Sequence, residues 1–229
     1  MRIAIVGLGK MGRAVAAAAR AGGHDITAEL DRGEVARERL AGADVAIEFT
    51  EPGAAPGNVI ALAEWRMPTV CGTTGWSPRL VEVTAAVERA GGALVHSPNF
   101  AIGVQLLLRL ARSAGGLLAR RPEFDAYLLE VHHSRKQDAP SGTARLLQDA
   151  LRTADPTRDY PVTSIRAGAV PGNHEIHLET ESESVTLAHV ARDRSVFAHG
   201  ALLAARWLLD GPKRGVYTFE DVLFGGTGR

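Results

Sequence analysis

Residues 2–12 read Arg2-Ile3-Ala4-Ile5-Val6-Gly7-Leu8-Gly9-Lys10-Met11-Gly12. A short apolar run ends at a glycine, and an Ala-rich stretch with no helix breaker follows at 11–20. The run has the length and flanks of a buried parallel strand, and the Ala-rich stretch reads as a helix. Between them stand Gly7, Gly9 and Gly12 in the pattern G-x-G-x-x-G. In that pattern the first glycine permits a tight turn, the second lets a pyrophosphate approach the backbone, and the third lets the helix pack closely. The helix start adds unpaired N–H groups and a favourable dipole. Alone, the pattern also suits a glycine-rich turn that binds nothing. Directly after a strand and before a helix, it predicts a dinucleotide site. Met11, inside the motif, reads as a packing residue.

The same alternation continues outward. Strands are expected at 26–30, 44–49, 69–71 and 93–96, with helices over 52–65 and 78–90, the latter capped by Ser77. Strand and helix in turn, with short connections, imply a doubly wound parallel sheet. In such sheets ligands lie beyond the C-terminal ends of the strands. Asp31 ends the second strand, where an acid accepts the adenosine ribose hydroxyls and favours NAD, while the adjacent Arg32 could hold the 2′-phosphate of NADP. Thr50, Gly72-Thr73-Thr74-Gly75 and Ser97-Pro98-Asn99-Phe100 follow three further strands and point to the same edge. Each by itself is ordinary turn chemistry; their convergence is the signal. Cys71 reads as a small buried hydrophobe.

After Asn99 the texture changes. A long amphipathic helix is expected at 104–118, a strand at 125–132, a helix at 143–152, strands at 162–166, 174–180 and 184–189, and a helix at 197–209. In the strand at 174–180, His174, Ile176, Leu178 and Thr180 share one face, and Glu175, His177 and Glu179 the other, so one side of that sheet is wet. His174 and His177 therefore point apart, and no metal site is predicted. His189 reads as a structural hydrogen-bonding residue. The expected architecture is α/β: an N-terminal Rossmann-like doubly wound parallel sheet, plus a C-terminal α+β domain with an open mixed, mostly antiparallel sheet. The first domain is expected over 1–99 with 210–229 returning to it, and a substrate-binding and oligomerisation domain over 100–209.

The chain has 229 residues, with 26 Lys+Arg against 26 Asp+Glu, so no basic field exists to attract nucleic acid. Aromatics are only 5%, which argues against base stacking as the main business. A single cysteine excludes an intramolecular disulfide and a Cys-rich zinc site. There is no signal-peptide core and no apolar run of about 18 residues, so a cytoplasmic protein with no membrane span is expected.

The densest chemistry is Glu130-Val131-His132-His133-Ser134-Arg135-Lys136-Gln137-Asp138-Ala139-Pro140-Ser141-Gly142-Thr143-Ala144. A strand ends in two histidines, a loop carries two cations, and a helix opens at Ser-Gly-Thr. Histidine is the side chain best placed to donate a proton near neutrality. Lys136 can bind a carboxylate or, if desolvated, give up a proton. Gly142 and Thr143 offer N–H groups and a hydroxyl at a helix start, which suits a carboxylate. Together they suit reduction of an anionic C=C or C=N substrate. A solvated surface loop is the plain alternative.

This stretch resembles the signature of the dihydrodipicolinate reductase family, also described as 4-hydroxy-tetrahydrodipicolinate reductases, of lysine and diaminopimelate biosynthesis. Glu48-Phe49-Thr50, Cys71 to Gly75, Asn99 to Val104, Arg166-x-Gly168 with Pro171-Gly172-x-His174, and His189-x-Ala191-x-Asp193-Arg194 look like further blocks of that family, so the resemblance spans nearly the whole chain. Lys10 stands where the family usually has Arg, and the glycine motif is one residue shorter. The resemblance implies an oxidoreductase of two hinged domains, usually a homotetramer, that uses NADH and/or NADPH on a cyclic dicarboxylate. It implies His132 as general acid, Lys136 as second proton donor and substrate contact, and His133, Gly142 and Thr143 as the substrate-carboxylate cradle. It implies Gly7 to Gly12 (with Leu8, Lys10 and Met11), Asp31, Arg32, Thr50, Gly72, Thr73, Thr74, Ser97, Pro98, Asn99 and Phe100 as cofactor contacts. The competing readings are another dehydrogenase of this architecture, such as one acting on aspartate, and a non-catalytic nicotinamide sensor. The sensor would not need His132, His133, Lys136 and Thr143 together.

Overall fold

A computed structural model describes residues 1–31, 35–40 and 42–225. In chain order the elements are β1 (Arg2–Val6), α1 (Lys10–Ala21), β2 (Asp25–Leu30), β3 (Val45–Glu48), α2 (Ala55–Glu64), β4 (Thr69–Cys71), α3 (Leu80–Ala90) and β5 (Ala93–His96). Then come α4 (Ile102–Leu118), β6 (Asp125–His132), α5 (Gly142–Ala154), β7 (Val162–Arg166), β8 (Asn173–Glu179), β9 (Ser184–Val190), α6 (Ser195–Leu209), β10 (Gly215–Thr218) and α7 (Phe219–Phe224). The chain forms two compact units, one of Met1–Ala101 with Ser195–Arg229, the other of Ile102–Arg194.

The first unit is a six-stranded sheet in the order β10-β5-β4-β3-β1-β2, parallel throughout. Its central strands are buried on both faces, which is why they read as unbroken apolar runs. Successive residues still divide between the two faces. Ile3, Ile5, Ile47, Val70 and Val95 meet the buried alanines of α1 and α6. Ala4, Val6 and Ala46 meet Leu62 of α2, and Cys71 and Leu94 meet α2 and α3.

Two elements depart from the sequence reading. The helix of α6 does not belong with residues 100–194; Ala198, Ala201, Ala204 and Ala205 bury it on the parallel sheet. The physical reason is the crossover rule. Parallel β5 and β10 need a helix between them, α6 is that helix, and the whole second unit is inserted between β5 and α6. Gly200 makes the fit possible, since a Cβ there would lie 1.8 Å from the Phe100 carbonyl oxygen. Phe100 and Ala101 likewise fall in the first unit. The second departure is Ser77, which opens a 3₁₀ turn over Ser77–Arg79 and makes no cap bond. Helix α3 starts three residues later, and Arg79 pairs with Glu82 in its first turn, at 2.7 Å.

The second unit is a mixed sheet in the order β7-β6-β8-β9, with β6 parallel to β7 and antiparallel to β8, and β8 antiparallel to β9. Helices α4 and α5 pack on each other and reach the sheet. Strand β6 alternates strictly along its length: Ala126, Leu128, Glu130 and His132 are buried, and Tyr127 is exposed. Among the described residues no helix is long and apolar enough to cross a membrane.

Candidate functional site

In the first unit the ladder bonds continue past the strand ends. Gly7 N–H donates to the Leu30 carbonyl (2.8 Å), Phe49 N–H to Val6 (2.8 Å), Gly72 N–H to Glu48 (2.9 Å) and Ser97 N–H to Cys71 (3.2 Å). The loops after β1, β3, β4 and β5 are thereby stitched into one rim, which carries Thr50, Gly72 to Thr74 and Ser97 to Phe100. Asp31 follows β2 at the same rim and is exposed; Arg32 lies outside the described residues. The rim fits a dinucleotide. Gly7 has φ +98°, and a Cβ on it would sit 2.2 Å from the Phe49 carbonyl oxygen, while one on Gly12 would sit 1.8 Å from that of Gly7. A Cβ on Gly9 would meet nothing within 4 Å, so space is open in front of α1. No side chain caps that helix, which leaves its first N–H groups for a ligand. Lys10 is exposed in its first turn, Met11 is half-buried, and Leu8 packs against the core. Thr73, Thr74, Ser97 and Pro98 line a small recess of about 40 Å³ beside Trp76 and His96. Ser97 and Asn99 are tied by a hydroxyl-to-carbonyl bond of 2.7 Å. The Phe100 ring is core, 4.9 Å from Phe219, so only its backbone is available at the rim.

Beneath this rim lies Glu48, fully buried at the end of β3. One carboxylate oxygen accepts from Thr50 N–H (3.1 Å) and from the Thr50 hydroxyl; the other accepts from the Thr73 hydroxyl (2.8 Å) and the Cys71 thiol (3.1 Å). Glu48 thus holds two of the predicted cofactor loops to one strand. Burial and this neighbouring carboxylate push the Cys71 thiol well above its ordinary pKa, consistent with an inert, buried cysteine.

In the second unit the structure brings His132, His133 and Lys136 to the end of β6, and Ser141, Gly142 and Thr143 to the start of α5. Ser141 caps α5 by accepting from Ala144 N–H at 3.2 Å. Gly142 and Thr143 are then the first two helical residues, whose N–H groups have no acceptor within the helix. His133 is held by its N–H to the Val170 carbonyl (2.8 Å), and Lys136 N–H donates to the His133 carbonyl (3.1 Å). The Lys136 ammonium pairs with Asp138 at 2.7 Å. Burial disfavours ionised Asp138, but that ammonium holds its pKa below the usual carboxylate range.

Behind His132 lies a network that the sequence reading did not single out. Glu130 precedes His132 by two residues on the buried face of β6 and is 1% exposed. One of its oxygens accepts from Ser141 N–H (2.9 Å), the Ser164 hydroxyl (2.7 Å) and the Arg166 guanidinium (2.7 Å). The other lies 3.1 Å from His132 Nδ1 and 3.8 Å from His174 Nε2. Burial works against the charge, yet those donors bring Glu130 down to about 2. His174, whose Nε2 is 3.2 Å from the Ser141 hydroxyl, is pulled down to about 4 by burial and by His132 beside it, and is neutral near pH 7. Ligand atoms of Glu130, His132 and His174 come within 4.8 Å of one another, and the Arg166 guanidinium sits on the opposite oxygen of Glu130. The available signal was a charged residue in register with the buried face of an alternating strand.

Two family models together cover nearly the whole chain and meet between β5 and α4. Residues 1–100 match the family model described as "Dihydrodipicolinate reductase, N-terminus", and residues 103–223 the model described as "Dihydrodipicolinate reductase, C-terminus". A 4-hydroxy-tetrahydrodipicolinate reductase of Thermosipho africanus is 34% identical over 97% of this chain and 98% of its own length. One of Methanoregula boonei is 38% identical over 79% of this chain and 74% of its own. Among solved structures, the dipicolinate-bound dihydrodipicolinate reductase of a Paenisporosarcina species superposes with a TM-score of 0.82 at 23% identity, covering 96% of this chain and 98% of that one, a likeness of fold.

Proposed function

The chain belongs to the dihydrodipicolinate reductase family, and from that premise we propose how its residues carry the family's reaction, the nicotinamide-dependent reduction of 4-hydroxy-tetrahydrodipicolinate to tetrahydrodipicolinate in diaminopimelate and lysine biosynthesis. The rim of the first unit holds the cofactor. Gly7, Leu8, Gly9, Lys10, Met11 and Gly12 take the pyrophosphate at the start of α1, and Asp31 takes the ribose hydroxyls. Thr50, Gly72 to Thr74 and Ser97 to Phe100 take the nicotinamide end. NADH and NADPH both serve, because Asp31 suits the free ribose and Arg32 and Lys10 suit the 2′-phosphate. When bound there, the reduced nicotinamide supplies the hydride.

The second unit holds the cyclic dicarboxylate. Gly142 and Thr143 donate N–H groups and a hydroxyl to one carboxylate, His133 supports it, and Lys136 neutralises it. Lys136 also supplies a proton as water leaves the hydroxylated ring. His132 donates the proton that the ring carbon takes up next to the position reduced. Burial of His132 keeps solvent from competing for that proton. The observation that best supports this reading is the pairing of two histidines at the end of β6 with an α5 start whose cap is its own Ser141. A solvated loop would not be tied down at Ser141, His133 and Lys136.

The protein is also proposed to work in the cytoplasm as a homotetramer. Leu106, Leu110 and Leu117 form one exposed stripe on α4, with Leu117 71% exposed, and Tyr127 and Ile165 are exposed on the sheet of the same unit. Light scattering at micromolar concentration should return four times 24.3 kDa; a monomer would overturn that part.

The function is tested by a steady-state assay with the ring substrate generated enzymatically, following oxidation of NADH and NADPH side by side. Turnover with both, and none with oxaloacetate and ammonia, is expected. Turnover in the aspartate dehydrogenase assay alone would replace this reading.

A further inference from the structure

We propose that Glu130 is the positioning residue of the proton donor: its inner oxygen fixes the His132 ring through Nδ1, so that Nε2 carries the proton given to substrate. This deepens the function proposed above and rests on His132 being the acid.

The two oxygens of Glu130 are used very differently. The outer one is saturated by Ser141 N–H, the Ser164 hydroxyl and Arg166. The inner one receives no aligned hydrogen bond, although it is buried, and the same holds for His132 Nδ1, 3.1 Å away. Two buried groups of opposite hydrogen-bonding character, at contact distance and unsatisfied elsewhere, are partners in waiting. A modest turn of the imidazole aligns them, as catalytic hydrogen bonds often align only on substrate binding. Once Nδ1–H donates to Glu130, the neutral ring has a single tautomer, with Nε2 as its proton-accepting nitrogen, and the protonated ring gives up its proton from Nε2. Nε2 faces Gly172, where a Cβ would come within 3.0 Å of it. A glycine there leaves room beside that nitrogen.

The outer bonds keep the carboxylate from rotating. Ser141 N–H and Arg166, at the ends of α5 and β7, hold it from two sides, so its inner oxygen stays aimed at His132. His174, set edge-on to His132 with centroids 5.1 Å apart, blocks the ring on the β8 side, with His189 of β9 beyond it. The charges facing His132 are Glu130 on its own strand, Lys136 and Asp138 on the following loop, and Arg166 at the end of β7. Burial lowers the readiness of His132 to hold a proton, Glu130 and Asp138 raise it, and Lys136 and Arg166 lower it further. Glu130 is the group whose charge opposes the burial most strongly.

The test uses the full chain, with Glu130→Gln and Glu130→Asp compared with His132→Gln. Glu130→Gln should lower kcat about 10- to 100-fold with KM changed less than about threefold, and move the basic limb of the kcat profile to lower pH. Glu130→Asp keeps the charge and loses the reach, so it should lower kcat with the basic limb in place. Nitrogen-15 spectra of the wild-type protein should show the neutral His132 ring protonated at Nδ1, a readout that needs no folded variant. A ring protonated at Nε2 overturns the proposal. So does a Glu130→Gln enzyme with the wild-type pH profile. If His132→Gln is itself fully active, the acid assignment fails first, and that result is separate from an active Glu130→Gln beside an inactive His132→Gln.

Discussion

Two buried glutamates stand at or near the ends of strands, Glu48 on β3 in the first unit and Glu130 on β6 in the second, and the chain uses them in opposite ways. Glu48 spends both oxygens on hydroxyl, amide and thiol donors from Thr50, Thr73 and Cys71. It is a clamp that holds the loops after β3 and β4 at the strand ends. Glu130 spends one oxygen on its scaffold, including a guanidinium, and leaves the other against an imidazole. A buried carboxylate is therefore read by how its lone pairs are distributed. When both oxygens are satisfied it shapes the backbone, and when one is held back it acts through its neighbour.

The comparison can be broken by substitution. The largest effect on stability should come from Glu130→Ala, which leaves the Arg166 guanidinium and Ser141 N–H without their carboxylate. Denaturant unfolding should show a loss of about 3–5 kcal/mol, the scale for breaking a buried ion pair. A loss below about 1 kcal/mol would mean the network is solvated. The same network sets an acid limb. Glu130 sits at about 2 against 4.5 when unfolded, so its contribution is present above pH 4.5 and is lost as pH falls toward 2. That contribution is on the order of 3 kcal/mol. His174, at about 4 against 6.5, adds a loss that begins near pH 6.5 and is complete near 4. Stability measured from pH 7 to 3 should fall in the wild type and fall less steeply below pH 4.5 in a Glu130 variant.

Glu48→Gln should be milder, about 1–3 kcal/mol, because an NH₂ replaces one acceptor among donors. It should weaken cofactor binding and leave the basic limb of kcat where it was, in contrast to Glu130→Gln. A shift of that limb in Glu48→Gln would erase the distinction between the two residues. Cys71→Ala should be smallest, about 0.5–1.5 kcal/mol for a small buried truncation, with kcat unchanged.

The first unit was the more legible from sequence. Strands buried on both faces leave unbroken apolar runs, so β1, β3, β4 and β5 stand out beside their glycine and threonine loops. What escaped has physical causes. Helix α6 shows its apolar face in the sequence, but periodicity does not say which sheet receives it, and the insertion before it disguised a crossover helix as part of the second unit. Strand β10 is a four-residue edge after Lys213 and Arg214, too short and too weakly patterned to be read. Ser77 has the chemistry of a cap, yet Pro78 and the 3₁₀ turn start the helix later. In the second unit His132, His133, Lys136, Gly142 and Thr143 form a continuous motif and were legible. Glu130, Arg166 and His174 converge from three strands, and only pairing of β6 with β7 and β8 brings them together.

The central claim is that His132 gives the proton in a nicotinamide-dependent reduction. It is tested most directly by kcat and KM of folded His132→Gln on 4-hydroxy-tetrahydrodipicolinate, with cofactor affinity measured on the same sample. A fall in kcat of about 10²–10⁴-fold, with KM and cofactor affinity near wild type, is predicted. A fully active His132→Gln enzyme would contradict it.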